Sequence, residues 1–344
     1  MSRRVASEGP LVHRGDMEID HIVTLPDEGR RAVDVLRARL GVSRTLAKRI
    51  RLYGALSRNG QEIRMIETVH AGDRLVLQLD APDAPSFPEG AGPAETEPTD
   101  LAAAYFAEGG RILLLDPHLC VLEKPAAWLT HPTHVERRAV STVVALLASV
   151  SRVHPVNRLD RGTSGLLIIA LDPFAHHNLS EQARSGETLR EYAGLIHGIP
   201  DPSQGRIDAP IGVDPANVVR RTVLADGKPA VTHYAMESTR SIRTPTGSAV
   251  VSLVRFRLET GRTHQIRVHC RHAGMPLVGD PLYGIRYGRQ DDLPAGPADE
   301  LDSRIRRQAL HAARIAFQHP VGSEPLAFES PLPEDMEDVL RERP

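Results

Sequence analysis

The pattern of apolar and polar positions predicts a short helical segment near the start of the chain. Between residues 31 and 53 apolar side chains recur at helical spacing, with a break at Gly41 and a new start at Ser43, a suitable N-cap. Residues 57–60 predict a turn, and residues 61–66 and 74–79 predict extended pieces joined by a turn at 70–73. These features together indicate a compact helix-helix-strand module.

The region from residue 101 to the end is rich in short strand patterns. They lie at 111–116, 120–124, 165–172, 190–198, 250–260 and 314–320. Helical patterns at 141–150 and 263–274 fall irregularly among them. This order predicts an α+β domain with a mixed sheet, in contrast to a regular βαβ repeat. The polar stretch 289–303 is expected to be a surface insertion.

Two segments without such patterns divide the chain. Residues 1–29 show little periodicity and are expected to be an N-terminal arm. Residues 81–100 contain five prolines and five acids but no Lys or Arg, which favours a semi-rigid linker. The expected organisation is therefore an arm at 1–29, a small α/β module at 30–80, a linker at 81–100 and a main domain at 101–344.

Composition narrows the class of protein. Of the 344 residues, 41% are apolar and 25% are charged, as in ordinary globular domains. No apolar run approaches the length of a membrane span and no signal-peptide pattern begins the chain, so we expect a cytoplasmic protein without membrane contact. Cys120 and Cys270, with no CxxC pattern, are expected to be buried apolar residues.

Charge is distributed unevenly. The formal net charge is −2, yet residues 30–79 carry eleven basic residues against four acidic ones, a local net charge of +7. A cationic helical module of this kind favours binding to nucleic-acid phosphates. The cations in its second predicted helix and just after it are Arg44, Lys48, Arg49 and Arg51.

Asp160 is the first candidate for chemistry, within VNRLDRGTSGLLIIALD at 156–172. It lies between Arg158 and Arg161 and precedes an apolar strand, so cations and burial compete to set its protonation state. A carboxylate held ionised suits a nucleophile or a base. The alternative is a surface salt-bridge cluster with no role in catalysis.

A second group of polar residues lies in ETGRTHQIRVHCRHAG at 259–274. On a helix over 263–272, Arg267 and Arg271 share a face with His264, where they could bind phosphate or carboxylate. A solvated helix face is the alternative. A third interpretation is a metal site, but the sequence has no HExxH or comparable spacing, and we predict no metal. The histidines concerned are His131, His134, His264, His269 and His272.

Tyr192 lies in the predicted strand REYAGLIHG, where a core role is the alternative to a catalytic one. The chain also lacks the GxxxxGK[ST], GxGxxG and GxSxG patterns. Nothing in the residues alone therefore indicates a nucleotide cofactor or an α/β-hydrolase.

These stretches together resemble the RluA family of RNA pseudouridine synthases. HPVNRLDRGTSGLLIIA is similar to the catalytic motif of that family, REYAGLIHG to its tyrosine strand, and GRTHQIRVHCRHAGMPLVGDPLYG to its third motif. Further matches in the same order extend the resemblance over about residues 105–340. The basic module resembles the S4 RNA-binding domain, although Ser57 and Arg58 replace the usual apolar pair.

The resemblance implies a role for each matching residue. Asp160 corresponds to the catalytic aspartate, Arg267 to the arginine that pairs with it, and Tyr192 to the tyrosine that packs on the base. Arg158 corresponds to the residue that fills the gap left by the flipped uridine. We expect Arg161 and His264 to contact RNA as well. Isomerisation of uridine implies neither a metal nor an organic cofactor.

Three positions depart from the common motifs. Asn157 stands where His is usual, Gly162 where Asp is frequent, and Arg190 where Lys is frequent. The hydrogen bonding around these residues and the stiffness of the loop that contains Asp160 therefore do not follow from the family motif.

The resemblance therefore implies an RNA pseudouridine synthase that acts on structured RNA, and a monomer is the default expectation. The S4-like module favours ribosomal RNA, with transfer RNA as the alternative substrate. The rival classes are a non-catalytic RNA-binding factor for ribosome assembly and a metal-dependent hydrolase that uses the clustered histidines.

Overall fold

The computed structural model describes residues 17–40, 42, 54–79, 98–133, 136, 138–286 and 295–341. In these residues the strands, numbered β1 to β16 in chain order, are Met17–Ile22, Gly54–Arg58, Gln61–Glu62, Arg74–Leu79, Arg111–Leu115, Leu119–Lys124, His154–Pro155, Ser164–Ala170, Leu189–His197, Gln204–Asp208, Ile211–Asp214, Asn217–Val223, Val231–Thr244, Gly247–Leu258, Leu310–Gln318 and Pro325–Glu329. The α-helices, α1 to α7, are Ala32–Leu40, Pro98–Ala107, Val140–Leu147, Pro173–Ser185, Gln265–His272, Pro297–Asp302 and Glu334–Leu340. A short 3-10 helix spans Leu25–Asp27.

A large mixed sheet forms the main part of the molecule. Within the described residues its order is β10-β13-β14-β9-β15-β8-β6-β5, with β7 paired to β8 and β16 paired to β15. The β15–β8 pair is parallel, whereas the neighbouring pairs are antiparallel. This architecture confirms the predicted α+β fold with a mixed sheet.

Strand β8 lies inside this sheet, between β15 and β6, and leads away from the Asp160 loop. All seven of its residues are buried, as expected for an apolar run covered on both faces. Helix α4 follows directly and has clear start and stop signals. Asp172 accepts a hydrogen bond from the Ala175 N–H, Pro173 occupies the first turn, and Gly186 ends the helix in the left-handed region at φ 84°.

The N-terminal residues form a separate small sheet of order β1-β4-β2-β3, as far as the chain is described. Strand β1 pairs antiparallel with β4 along its full length. The expected arm at 1–29 is therefore wrong for residues 17–29, because β1 completes the sheet of the module. Ser57 and Arg58 also lie in a strand, and the turn is made by Asn59 and Gly60, both at positive φ.

Other expectations need smaller corrections. The second helix expected in the basic module, from Ser43 to residue 53, lies outside the described residues. The expected linker ends earlier than residue 100, because α2 begins at Pro98. The stretch 289–303 is not simply a surface insertion, since α6 contributes the fully buried Leu301 to the core. Cys120 and Cys270 are free and buried, as predicted.

Candidate active site

A pocket of about 310 Å³ lies at the N-terminal ends of β8 and β9, and Asp160 is in its wall. Asp160 belongs to the loop between β7 and β8, whereas Tyr192 lies on β9. Strand β15 separates β8 from β9 in the sheet. On another side the pocket is lined by His264, which directly precedes α5, and by Arg267 within α5. The sheet thus gathers residues that are more than a hundred positions apart in the sequence.

Arg267 binds two carboxylates at once. Its Nη1 donates to Asp160 Oδ2 at 2.9 Å, while its Nε and Nη2 donate to the two oxygens of Asp280 at 2.7 and 2.8 Å. Burial acts to lower the pKa of Arg267, but the hydrogen bonds and charges of Asp280 and Asp160 raise it overall. The guanidinium is a permanent cation at this site.

The surroundings of the two carboxylates differ. The side chain of Asp280 is 0% exposed, whereas that of Asp160 is 24% exposed towards the pocket. Asp280 also accepts hydrogen bonds from the N–H groups of Leu282 and Tyr283, so its oxygens are fully engaged. Asp160 is therefore the carboxylate of this group that a bound molecule can reach.

Tyr192 lies in the same pocket as Asp160 and is 7% exposed. On β14, Phe256 is opposite it in the register, and both rings belong to the main apolar core. Burial raises the pKa of the Tyr192 hydroxyl, Arg190 lowers it and Asp160 raises it further, so the phenol is neutral at pH 7. A neutral aromatic ring beside an exposed carboxylate can pack against a planar base.

His264 precedes α5 in the left-handed region at φ 58°, so the predicted helix over 263–272 begins two residues later, at Gln265. Its Nδ1 lies 2.8 Å from the Tyr283 hydroxyl, which accepts the backbone N–H of Arg221 at 2.8 Å. Burial lowers the pKa of His264, with Asp160 acting in the opposite direction. The predicted face shared by Arg267 and Arg271 is not a solvated surface, because Arg267 is buried.

The two arginines that flank Asp160 in the sequence have other surroundings. In the described part of the chain, the ion-pair partner of Asp160 is Arg267 and neither of its sequence neighbours. Arg158 is exposed and lines the pocket. Arg161 is exposed and lies 3.1 Å from Glu136. The alternative of a local surface cluster around Asp160 is therefore wrong.

The Asp160 loop is fixed by polar contacts from several elements. Lys124 Nζ donates to the carbonyl oxygens of Pro125, Trp128 and Arg161, at 2.9, 2.8 and 3.2 Å. Thr130 Oγ1 donates to the Leu159 carbonyl at 3.0 Å. These contacts restrain the backbone on both sides of Asp160.

Asn157 and Gly162, the two departures in this loop, have structural explanations. The Asn157 Oδ1 accepts the backbone N–H of Ile168 at 2.9 Å and continues the pairing between β7 and β8. Gly162 packs against Gln308, whose Oε1 would be 2.5 Å from a Cβ at this position. A Cβ at this position would therefore require the Gln308 side chain to shift, and glycine avoids that contact, whereas its backbone does not need positive φ.

The remaining predicted residues do not join this pocket. Arg44, Lys48, Arg49 and Arg51 lie outside the described residues. His269 is a core residue, with Nδ1 2.9 Å from Thr232 Oγ1 and Nε2 2.9 Å from the Ala209 carbonyl. Among the described residues no group of three or more His, Cys, Asp or Glu side chains is arranged to hold a metal ion, and His134 is not among them.

Sequence reasoning missed Asp280, Tyr283 and Lys124. The first two lie within the stretch that resembles the third motif, and Lys124 ends an otherwise mostly apolar strand. A lysine in such a strand is a usable signal, because a buried ammonium requires several acceptors. The role of Asp280 has no comparable local signal, since it depends on the contact with Arg267.

Comparisons with known proteins show which family the sequence is related to. The sequence profile of the RNA pseudouridylate synthase family matches residues 118–272. The uncharacterized RNA pseudouridine synthase YjbO of Bacillus subtilis is 34% identical over 306 residues, covering 88% of this chain and 95% of the relative. Ribosomal large subunit pseudouridine synthase D of Pseudomonas aeruginosa is 35% identical over 290 residues, covering 82% of each chain.

A solved structure supports the fold. Human RNA Pseudouridylate Synthase Domain Containing 4 aligns with a TM-score of 0.54 at 24% identity, over 71% of this chain and 95% of the human chain. None of the described helices is both long and apolar enough to cross a membrane. From its relatives and the order of its motifs, the chain belongs to the RluA family of RNA pseudouridine synthases.

Proposed function

We propose that this protein isomerises uridines in large-subunit ribosomal RNA to pseudouridine, with Asp160 as the catalytic carboxylate. The observation that carries the proposal is the Asp160–Arg267 pair at 2.9 Å in a pocket that also holds Tyr192. Relatives named ribosomal large subunit pseudouridine synthase D, in Pseudomonas aeruginosa and Xanthomonas campestris, support ribosomal RNA as the substrate.

The proposed reaction conserves all atoms of the nucleotide. The bond from C1′ to N1 breaks with participation of Asp160, the uracil rotates, and C5 bonds to C1′. N1 gains a proton and C5 loses one. Arg267 keeps Asp160 oriented, and Tyr192 packs on the base and assists loss of the C5 proton. The target uridine must leave its helix to reach the pocket, and Arg158 at the rim fills the gap.

We further propose that the N-terminal module binds RNA, as part of the organisation predicted from the sequence. Its support is the net charge of +7 over residues 30–79. Not all of these cations face solvent freely, since Arg30 and Arg39 both bond to the buried carboxylate of Asp27 at 2.7 Å. Arg37 and Arg64 are exposed. We also propose that the protein is a monomer and that the reaction needs no cofactor.

The decisive variant is Asp160→Asn, which preserves the shape of the side chain and removes its charge. Tritium released from RNA labelled at uridine C5 measures the reaction, because C5 loses its hydrogen. We expect the variant to lose activity by ~1000-fold or more, as for other essential nucleophiles, while RNA binding is retained. Asp338→Asn, in α7, is the matched control, since Asp338 pairs with the exposed Arg341 outside the pocket.

Each result decides between functions. Release of tritium from large-subunit ribosomal RNA supports the proposed substrate. Release of tritium from transfer RNA alone would show that transfer RNA is the substrate. A wild-type protein that binds RNA and releases no tritium from either would support a non-catalytic binding factor. Full activity of Asp160→Asn would reject Asp160 as the catalytic group.

A further inference from the structure

Arg190 lies on β9 two residues before Tyr192. Successive side chains on a strand alternate between faces, so Arg190 and Tyr192 share one face and Glu191 lies on the other. Both Arg190 and Tyr192 line the pocket that contains Asp160. Tyr192 is buried and Arg190 is half-buried, which places the guanidinium nearer the mouth of the pocket.

The charge of Arg190 has no matching carboxylate among the residues that the structure describes. Among the described residues its Nε is buried without a hydrogen-bond partner, and Arg190 has no carboxylate within ion-pair distance. Glu191 is directed to Arg314, 3.6 Å away, which places it in a different ion pair. In contrast, Arg267 in the same pocket contacts two carboxylates. A partly desolvated cation without a counter-ion is costly, so its retention in a pocket favours an anionic ligand.

The other charged residues that line the pocket are mostly positive, like Arg190. Among the described residues that line it, Asp160 is the one acidic residue, and it is already bound to Arg267. Arg190 Nη1 lies close to Gly261, where a Cβ would be 3.5 Å away. The adjacent Arg262 uses its Nε to bond to the Pro229 carbonyl and also lines the pocket. The walls around Arg190 therefore favour an anion.

We propose that Arg190 binds the phosphate of the nucleotide whose base packs against Tyr192. The inference rests on the proposed function, since it takes the base to lie at Tyr192. Two residues along a strand span roughly 6 to 7 Å, comparable to the separation of a base from its own phosphate. The planar fork of an arginine matches two phosphate oxygens. Arg190 thus distinguishes a nucleotide within an RNA chain from a free nucleoside.

The test compares binding of uridine 3′,5′-bisphosphate and uridine by ligand-observed NMR. We expect the wild-type protein to prefer the bisphosphate by roughly tenfold or more, since a charge-assisted hydrogen bond contributes on that scale. Arg190→Gln should bind the two ligands about equally, and Arg190→Lys should keep part of the preference. With RNA as substrate, Arg190→Gln should raise KM more than it lowers kcat.

Arg257→Gln is the matched control. Arg257 is exposed on β14 opposite Glu191, on the other face of the sheet, so its loss should leave the preference unchanged. An Arg190→Gln protein that keeps the wild-type preference, or a wild-type protein that shows none at millimolar ligand, would overturn the assignment. Circular dichroism of each variant separates a lost contact from a lost fold.

The NMR and tritium experiments test the phosphate site and the isomerase activity separately. If the phosphate preference depends on Arg190 while the wild-type protein releases no tritium from RNA, the isomerase activity is rejected and the phosphate site stands. If tritium is released and the preference is independent of Arg190, only the role of Arg190 is rejected.

Discussion

The guanidinium of Arg267 donates hydrogen bonds to two carboxylates, of which Asp280 is buried and Asp160 is accessible from the pocket. Two of its nitrogens are bound to the fully buried Asp280, and one to the partly exposed Asp160. Asp280 therefore fixes the guanidinium before any substrate arrives. Asp160 is left as the group whose contacts can change during a reaction.

This division predicts different effects of two similar substitutions. Asp280→Asn places an amide N–H against Arg267 and leaves a buried cation poorly matched, so we expect the free energy of unfolding to fall by about 3 kcal/mol. Asp160→Asn leaves the Asp280 contacts intact and should cost less than about 1 kcal/mol. Urea denaturation measures both values.

The same pair of variants separates two roles. Asp280→Asn should lower kcat by disorienting Arg267, whereas it leaves Arg158 in place at the pocket. Equal stability of the two variants would show that Asp280 is not the counter-ion that holds Arg267.

Sequence reasoning reached part of this site. It predicted that Asp160 and Arg267 interact, and the structure contains that ion pair. It did not predict Asp280, because a carboxylate that is neutralised inside the fold has no distinctive local pattern. It also treated Arg190 only as a departure from a motif, since the absence of a counter-ion is visible only when the neighbouring strands are in place.

At the scale of elements, the loop from β7 to β8 is held by hydrogen bonds from several parts of the chain. Its backbone carbonyls accept hydrogen bonds from Lys124 and Thr130, and Arg307 Nη1 donates to the Gly162 carbonyl at 3.1 Å. Gln308 Nε2 donates to Thr163 Oγ1 at 3.0 Å. The loop is thus held from β6, from the residues after β6 and from the residues just before β15.

Gly162→Ala tests how tightly this loop is packed. The new methyl group would lie 2.5 Å from the Oε1 of the buried Gln308, so we expect a loss of about 1 to 3 kcal/mol and reduced activity. Thermal or urea unfolding measures the loss of stability, and tritium release measures the activity.

A second substitution identifies the cause. Gln308→Ala should recover part of the stability lost by Gly162→Ala, because it removes the clashing atom. Strictly additive effects in the double variant would contradict the proposed contact.

Local patterns predicted these elements well where the strand or helix is long and apolar. Strand β8 and helix α3 lie close to their expected positions. Strand β1 was missed because its stability depends on pairing with β4, which is more than fifty residues later in the sequence. The end of the linker was misplaced because α2 begins with Pro98, and proline at a helix start resembles a loop signal.

At the scale of the whole molecule, His311 links three segments of the main domain. On β15, it is opposite Ser164 of β8 in the register, and its Nδ1 lies 2.9 Å from the Ser164 hydroxyl. Its Nε2 lies 3.0 Å from the Ser330 hydroxyl, just after β16. Burial lowers the pKa of His311 to about 4, so the folded protein holds this imidazole neutral.

The position of His311 predicts a loss of stability in acid. In the unfolded chain the pKa of histidine is about 6.5, so between pH 6.5 and 4 the unfolded state binds more protons than the folded state. The contribution of His311 is complete above pH 6.5 and is lost as the pH falls, by about 3 kcal/mol in total.

Urea unfolding at several pH values tests this contribution. His311→Gln should reduce the difference in stability between neutral and acidic solution, and His272→Gln, on the exposed His272, serves as the control. Identical pH profiles for the wild-type protein and His311→Gln would contradict a neutral, buried imidazole.

The N-terminal core includes Phe174 of α4, which is 2% exposed and packs with Val35, Leu36 and other apolar residues of the module. The core of the module therefore includes an aromatic ring from a helix that lies almost a hundred residues later in the sequence. If residues 17–79 were fused to another protein without α4, the apolar side chains that Phe174 covers would be exposed to solvent. Transfer of the module to a new enzyme would therefore require α4 or another aromatic side chain in the position of Phe174.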